Sequence, residues 1–242
     1  MKWTAFSLHF KQIYEGGYRY LDKCGEFILA AEKFNLMSAE TNISGAKLTI
    51  PELGILVQAN TQELSVMQEL RGEDSEGFFQ LVTNMVKTYS ELFSPSRIES
   101  TGFASKSFLP FKSHDAALAK SLELGDKYNL ALAKTVEMVP SQKKLDCNFT
   151  SGSFNFHILT HPVTFSPIGQ QTHNAPGLST DGQKKRLARL NRKAERVDHT
   201  LAHAIMLELD LVEFNPPADS LKKDFSALKK KEAAVQAALF AP

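Results

Sequence analysis

The sequence predicts an α+β fold. It reads as two tandem halves, each running helix, strand pair, helix, strand over a mainly antiparallel sheet, ferredoxin-like or related. Three observations carry that expectation. Period-2 runs come as neighbours joined by short breakers, as in "GAKLTIPELGILVQA" and "DCNFTSGSFNF". Stripes of period 3.6 separate those runs. The scattered glycines, Gly16-Gly17, Gly45, Gly54 and Gly102, form neither a dinucleotide fingerprint nor a phosphate loop.

The elements follow in order. "TAFSLHF" sets Phe6, Leu8 and Phe10 against Ala5, Ser7 and His9, the alternation of a half-buried strand. Gly16-Gly17 breaks it. From Tyr18 to Phe34 a helix is expected, with Leu21, Cys24, Ile28 and Ala31 as its apolar stripe. β-rich runs follow, with breakers at Gly45, Pro51-Glu52, Gly54 and Asn60. Ser75 caps the next helix, whose stripe is Phe78, Val82, Met85, Tyr89 and Leu92, and Ser94-Pro95 stops it. "RIESTGFASKSFLPF" reads as a strand, then a short helix from Asp115 to Leu124 ends at Gly125.

The second half repeats the order. "YNLALAKTVEMV" alternates as a strand, with Tyr128, Leu130 and Leu132 on one face, and Pro140 to Lys144 is a polar turn. "LDCNFTSGSFNFHILTHPVTF" is a strand, an interruption and a second strand. A breaker-rich loop covers 166–182, an amphipathic helix 183–203, and "IMLELDLVEF" a strand with Ile205, Leu207, Leu209 and Leu211 inward. Asn215-Pro216-Pro217 closes that strand. Asp219 or Ser220 caps a terminal helix over 219–240 carrying Leu221, Phe225, Leu228, Val235 and Leu239. The halves divide at 1–113 and 114–242.

Bulk composition excludes several function classes. The chain has 242 residues, 43% hydrophobic content and a net charge of +1, enough for a sizeable core and far from a basic coat or an acidic disordered tail. Two cysteines, Cys24 and Cys147, make no disulfide framework. The N-terminal stretch alternates and lacks the apolar region of a signal peptide, and no apolar run approaches the ~18 residues of a membrane span. The expected compartment is the cytoplasm, without membrane association.

The most conspicuous stretch is "QKKRLARLNRKAERVDHTLAH". On a helical wheel, Leu187, Leu190, Ala194, Val197 and Leu201 share a sector about 80° wide. The bases occupy the opposite half. Lys184, Lys185, Arg189, Arg192, Lys193 and Arg196 form a nearly single-signed face, which like-charge repulsion disfavours unless an anion neutralises it. They are the candidate contacts to an acidic protein partner or to a nucleic-acid phosphate backbone. No aromatics interleave with them, so base stacking is not implied.

The histidines suggest metal chemistry only weakly. His199 and His203 have helical metal-pair spacing but enclose "TLA", without the glutamate a metalloprotease uses as base. His157 and His161 lie on a strand, about 13 Å apart at ~3.3 Å per residue. A metal-dependent hydrolase would need them joined by His173 and by Glu208 and Asp210, which share one strand face, with Glu213 on the other. No phosphate loop, nucleophile elbow or activated thiolate appears, so the reading takes no cofactor, no metal ligand and no catalytic residue.

Three stretches carry a family resemblance. "FFQLVTNMVKTYSELFSPSRIESTGF", "AIMLELDLVEF" and "LKKDFSALKKKEAAVQAALF" resemble a helix leading into an Arg-Ile strand, a late strand with an internal Asp (here Asp210) and a terminal helix. In these features the chain resembles a sporadically distributed family of uncharacterised prokaryotic proteins of about this length. Where that family tends to carry an Arg-Tyr pair, this chain has Thr101-Gly102-Phe103. The family has no established catalytic residues. Its patchy distribution resembles that of mobile or antiviral-defence genes.

The expected role is therefore non-catalytic: binding or assembly within a larger complex through a protein partner. Nucleic-acid backbone binding is the alternative, and metal-dependent hydrolysis a further one. A homo-oligomer through the terminal helix follows if its apolar stripe is left uncovered.

Overall fold

Leu8, Phe10 and Tyr14 are all about fully buried on alternate positions of one strand, while Lys11 between them is exposed. That alternation organises the molecule. The computed structural model describes residues 3–16, 19–42, 45–69, 76–136, 145–165, 202–217 and 220–239. In order they form β1 (Thr4–Glu15), α1 (Tyr20–Glu32), β2 (Met37–Asn42), β3 (Gly45–Ile50), a 3-10 turn (Pro51–Leu53), β4 (Ile55–Ala59) and β5 (Glu63–Glu69). Then come α2 (Glu76–Phe93), β6 (Arg97–Phe111), α3 (His114–Val136), β7 (Asp146–Ser151), β8 (Phe154–Phe165), β9 (Ala202–Phe214) and α4 (Leu221–Leu239). The fold is α+β, with four helices among the described residues and one nine-stranded antiparallel sheet ordered β2-β3-β4-β5-β1-β6-β9-β8-β7.

Local chemistry makes the meander from β2 to β5. Gly45 opens β3 and its N–H donates to Asn42 Oδ1 at 3.2 Å. Gly54 adopts φ +64, and a Cβ there would stand 2.9 Å from Glu69 Cβ, so only glycine fits the turn. Asn60 Oδ1 accepts the N–H groups of Gln62 (2.8 Å) and Glu63 (2.9 Å), a side chain mimicking a turn's backbone. β1 then pairs with β5 in register Ser7↔Glu69 through Ile13↔Glu63.

Two compact units are distinguished. One comprises Trp3–Ser107, Asp146–Leu159 and Leu207–Pro242. Within it α1, α2 and α4 pack on a single face of the sheet through aromatic rings. Tyr14 of β1 stacks on Tyr89 of α2 at 4.5 Å, and Phe27 of α1 meets Tyr89 and Phe93. Phe225 of α4 lies 5.1 Å from Phe79 and 5.4 Å from Phe103 of β6. Each fully buried ring contributes about 2–3 kcal/mol of transfer free energy. The other unit comprises Met1–Lys2, Phe108–Leu145 and Thr160–Met206. There Leu109, Ala117, Leu124, Leu145, Ala204 and Ile205 are buried. The rings of His114 and His203 meet edge-on at 5.9 Å.

Several expectations are corrected. α3 runs from His114 through Gly125 to Val136, where a helix stop at Gly125 and a strand from Tyr128 were expected. "LALAK" alternates, but its leucines, alanines and lysine are strong helix formers without β-branching, and one glycine costs only about 1 kcal/mol. In α1 the buried positions are Tyr20, Phe27 and Ala31, while Leu21 is 55% exposed. The two large rings, seven residues apart, set the inward face. β2 was not expected, because "MSAETN" lacks an apolar face, and five of its six residues are exposed. β9 begins at Ala202, so His203 is a strand residue rather than the end of a helix. The apolar stripe of α4 turns inward: Leu228 and Leu239 are buried and Phe225 packs on the rings above.

Candidate functional site

Opposite α1, α2 and α4, the sheet carries a row of polar side chains. The β1 alternation that buries Leu8 and Phe10 sends His9 and Lys11 to this second face, and the β1–β5 register sets Met67 against His9 and Ser65 against Lys11. Lys11 Nζ bridges Glu63 Oε2 at 2.8 Å. On the next strand, Lys106 of β6 bridges Glu208 of β9 at 2.7 Å. At the far side, His157 of β8 stands between two acids. Its Nε2 lies 2.8 Å from Asp146 Oδ1 of β7 and its Nδ1 3.5 Å from Asp210 Oδ2 of β9.

Electrostatics divides the two histidines. Burial, and then the charge of Lys11, push His9 below the usual imidazole range, so it is neutral at pH 7. The hydrogen bond to Asp146 pushes His157 up, Asp210 adds to it, and partial burial opposes both. With carboxylates at both ring nitrogens, the protonated form is the one both contacts stabilise. From β5 to β7 the row thus pairs Lys11 with Glu63, Lys106 with Glu208, and His157 with Asp146 and Asp210, so its lysines are already matched by acids.

The side facing the helices holds a second polar cluster. Glu213 of β9 is 5% exposed and Asp224 of α4 is 2% exposed, and the two carboxyls lie close enough to act on each other. Ser220 Oγ donates to Asp224 Oδ2 at 2.9 Å, and Ser153 Oγ lies 3.5 Å from Glu213 Oε1. Nearby, Ser107 Oγ donates to Glu232 Oε1 at 2.6 Å, tying α4 to β6.

The residues singled out in the sequence fare differently. Lys184, Lys185, Arg189, Arg192, Lys193 and Arg196 lie outside the described residues, as do His173, His199 and the loop 166–182. Glu208 and Asp210 share one face as expected, and Glu213 takes the other. His157 meets Asp210, but Glu208 bridges Lys106, and His161 belongs to the other compact unit. Among the described residues no group of three or more His, Cys, Asp or Glu has metal-holding geometry. Cys24 and Cys147 are free thiols, both partly buried. Asp146, Lys106, Lys11, Glu63 and His9 were not anticipated. A signal existed for Asp146: folding the chain back at Ser-Gly-Ser pairs it with Leu159 and puts Asn148 opposite His157.

No described helix is long and apolar enough to cross a membrane. In comparisons with known proteins, no family model, no curated protein and no solved structure matches this chain.

Proposed function

We propose that the chain is a cytoplasmic, non-catalytic binding subunit of a larger complex, and that the polar sheet face opposite the helices docks a protein partner. The observation that carries this reading is the matched row Glu63–Lys11, Lys106–Glu208 and Asp210–His157–Asp146. A row whose cations are already paired is poorly suited to phosphate. It suits a folded surface of complementary alternating charge, where such pairs set specificity and register more than raw affinity. The proposal includes a tandem origin for the halves 1–113 and 114–242. In support, β6, the last strand of the first half, and β9, the last strand of the second, neighbour each other in the sheet. The family that three stretches of the chain resemble supports a setting in prokaryotic defence.

The test is recovery of partners from the native cells by tagged wild type and by a Lys11→Glu/Lys106→Glu variant of equal stability. Proteins recovered with the wild type and lost with the variant support the proposal. Equal recovery by both overturns it. Fluorescence anisotropy with short single- and double-stranded nucleic acids at two salt concentrations separates the competing proposal. Binding that weakens with salt and vanishes in an Arg189→Glu/Arg192→Glu/Arg196→Glu variant assigns the chain to phosphate contact instead.

A further inference from the structure

α4 carries five lysines and two acids, and it sorts them by face. Asp224 and Glu232 are both buried, whereas Lys222, Lys223, Lys230 and Lys231 are exposed. Lys229 pairs with Glu232 at 3.2 Å. The other four lysines enter no ion pair among the described residues. A solvated helix face ordinarily mixes signs. The outward face of α4 shows only positive charge.

Where α4 borders β8, these lysines meet aromatic rings. Lys223 Nζ stands 5.7 Å from the centre of the Phe154 ring, and Lys231 Nζ 4.9 Å from that of Phe156. Eight residues apart, the two lysines are separated by about 12 Å along the helix. Lys230 shares this border, since a helix returns to nearly the same direction seven residues after Lys223. On the sheet's last strand, Phe149 of β7 stands in register with Phe156 of β8, their ring centres 6.5 Å apart. Phe156 is covered, but Phe149 is 54% exposed. An aromatic ring left half in water thus lies beside ammonium groups that the rings next to it hold against the sheet.

We propose that this border of β7, β8 and α4 binds single-stranded nucleic acid, with a base stacked on Phe149 and the strand's phosphates running along Lys223, Lys230 and Lys231. Two chemistries meet here, a cation row and an exposed ring. Every nucleotide of a single strand supplies the complement of both, an anion and a flat π-face. A duplex keeps its bases stacked on one another and offers Phe149 none. An acidic polypeptide matches the lysines but brings no recurring flat ring. The contacts of Lys223 and Lys231 with Phe154 and Phe156 fix both ammonium groups before a strand arrives, so less side-chain freedom is lost on binding. Stacking and phosphate contact read no base edge, so binding is tolerant of sequence. The site uses no residue of the polar row. Phe149 is opposite Phe156 on the helix side of the hairpin, whereas Asp146 meets His157 on the other.

The test is fluorescence anisotropy of the full chain with labelled oligo-dT and oligo-U of about 12 nucleotides, over a range of salt concentrations. A duplex of the same length and a polyglutamate peptide of similar charge serve as controls. The wild type is expected to bind a single strand more tightly than either control. Phe149→Leu keeps an apolar side chain and weakens binding by about tenfold, while Phe149→Trp maintains or tightens it. Lys223→Gln/Lys231→Gln removes two phosphate contacts and lowers the slope of log affinity against log salt by about 1.4. No binding of either single strand at low salt overturns the proposal. Binding indifferent to both Phe149→Leu and Lys223→Gln/Lys231→Gln overturns it too, as does polyglutamate bound as tightly as the oligonucleotides, which assigns the lysines to an acidic protein.

Discussion

Glu213 of β9 and Asp224 of α4 face each other in the core as two buried carboxyls. Glu213 Oε2 and Asp224 Oδ1 are both buried and find no protein donor. Their other oxygens are approached by Ser153 and Ser220. When Asp224 is protonated, its hydroxyl supplies a donor that the two carboxylates lack. Burial is the main cause, and the Asp224 carboxyl is pushed up to about 6, with Ser220 and Lys223 opposing the rise and Glu213 adding to it.

This pair makes stability pH-dependent. An acid whose folded pKa lies above its unfolded value binds more protons when folded, so stability falls as pH rises from about 4 through about 6. The α4 contact is tightest in mild acid. Asp224→Asn carries a permanent donor toward Glu213 and should stabilise the protein by about 1–2 kcal/mol at pH 7.5, while flattening the dependence between pH 4 and 7. Urea unfolding at pH 5 and pH 7.5 checks both parts. A variant that is less stable than wild type at pH 7.5 contradicts a raised Asp224 pKa.

His157 is expected to titrate above an ordinary histidine and His9 below it. The sign for His157 follows from its raised folded pKa: its stabilising contribution is fully present below about 6.5 and is lost as pH rises through the folded value. The sign for His9 is opposite, its contribution being lost as pH falls. Asp146→Asn should lower the His157 pKa more than Asp210→Asn, since the Asp146 contact is the shorter at 2.8 Å against 3.5 Å. Imidazole NMR titration of the two histidines reads this directly, and an unshifted His157 in Asp146→Asn would contradict it.

Tyr89 joins packing to a polar tether. Its ring stacks on Tyr14 and meets Phe93 edge-on at 4.7 Å, and its hydroxyl donates to the Asn60 carbonyl at 2.6 Å, fixing the β4–β5 turn. Tyr89→Phe keeps the ring and should cost about 1 kcal/mol. Tyr89→Ala should cost about 3–5 kcal/mol, since it also opens a cavity among buried rings. Chemical denaturation separates the two. Equal losses would mean that the tether, rather than the ring, holds α2.

The legible part of this fold was its inward faces. In β9 the run Ile205, Leu207, Leu209, Leu211 is buried throughout, as its alternation indicates. In the α2 stripe Phe78, Val82, Met85 and Tyr89 are buried as their spacing indicates, while Leu92 is half-buried and Phe93 takes the inward place, and Ser94-Pro95 ends that helix. Edge and surface elements were less legible. β2 has no apolar face to betray it, and α3 alternates in a stretch where helix propensity decides. The polar row was only partly readable, because it depends on which strands become neighbours. The hairpin turn brings Asp146 beside β8, but nothing local says that β9 lies on the other side of His157, or that β1 is inserted between β5 and β6. Those are long-range pairings, selected by the whole core rather than by any stretch of sequence.

The most direct measurement of the proposed role is site-specific photo-crosslinking in the native cells. A photoreactive side chain at Gln58 or Lys11, both exposed on the polar sheet face, would be compared with one at Lys87 or Lys222, exposed on the helices that cover the other face. The account predicts a protein crosslinked from Gln58 and Lys11 and not from Lys87 or Lys222. A partner captured only from the helix positions, or from none of the four, would contradict it.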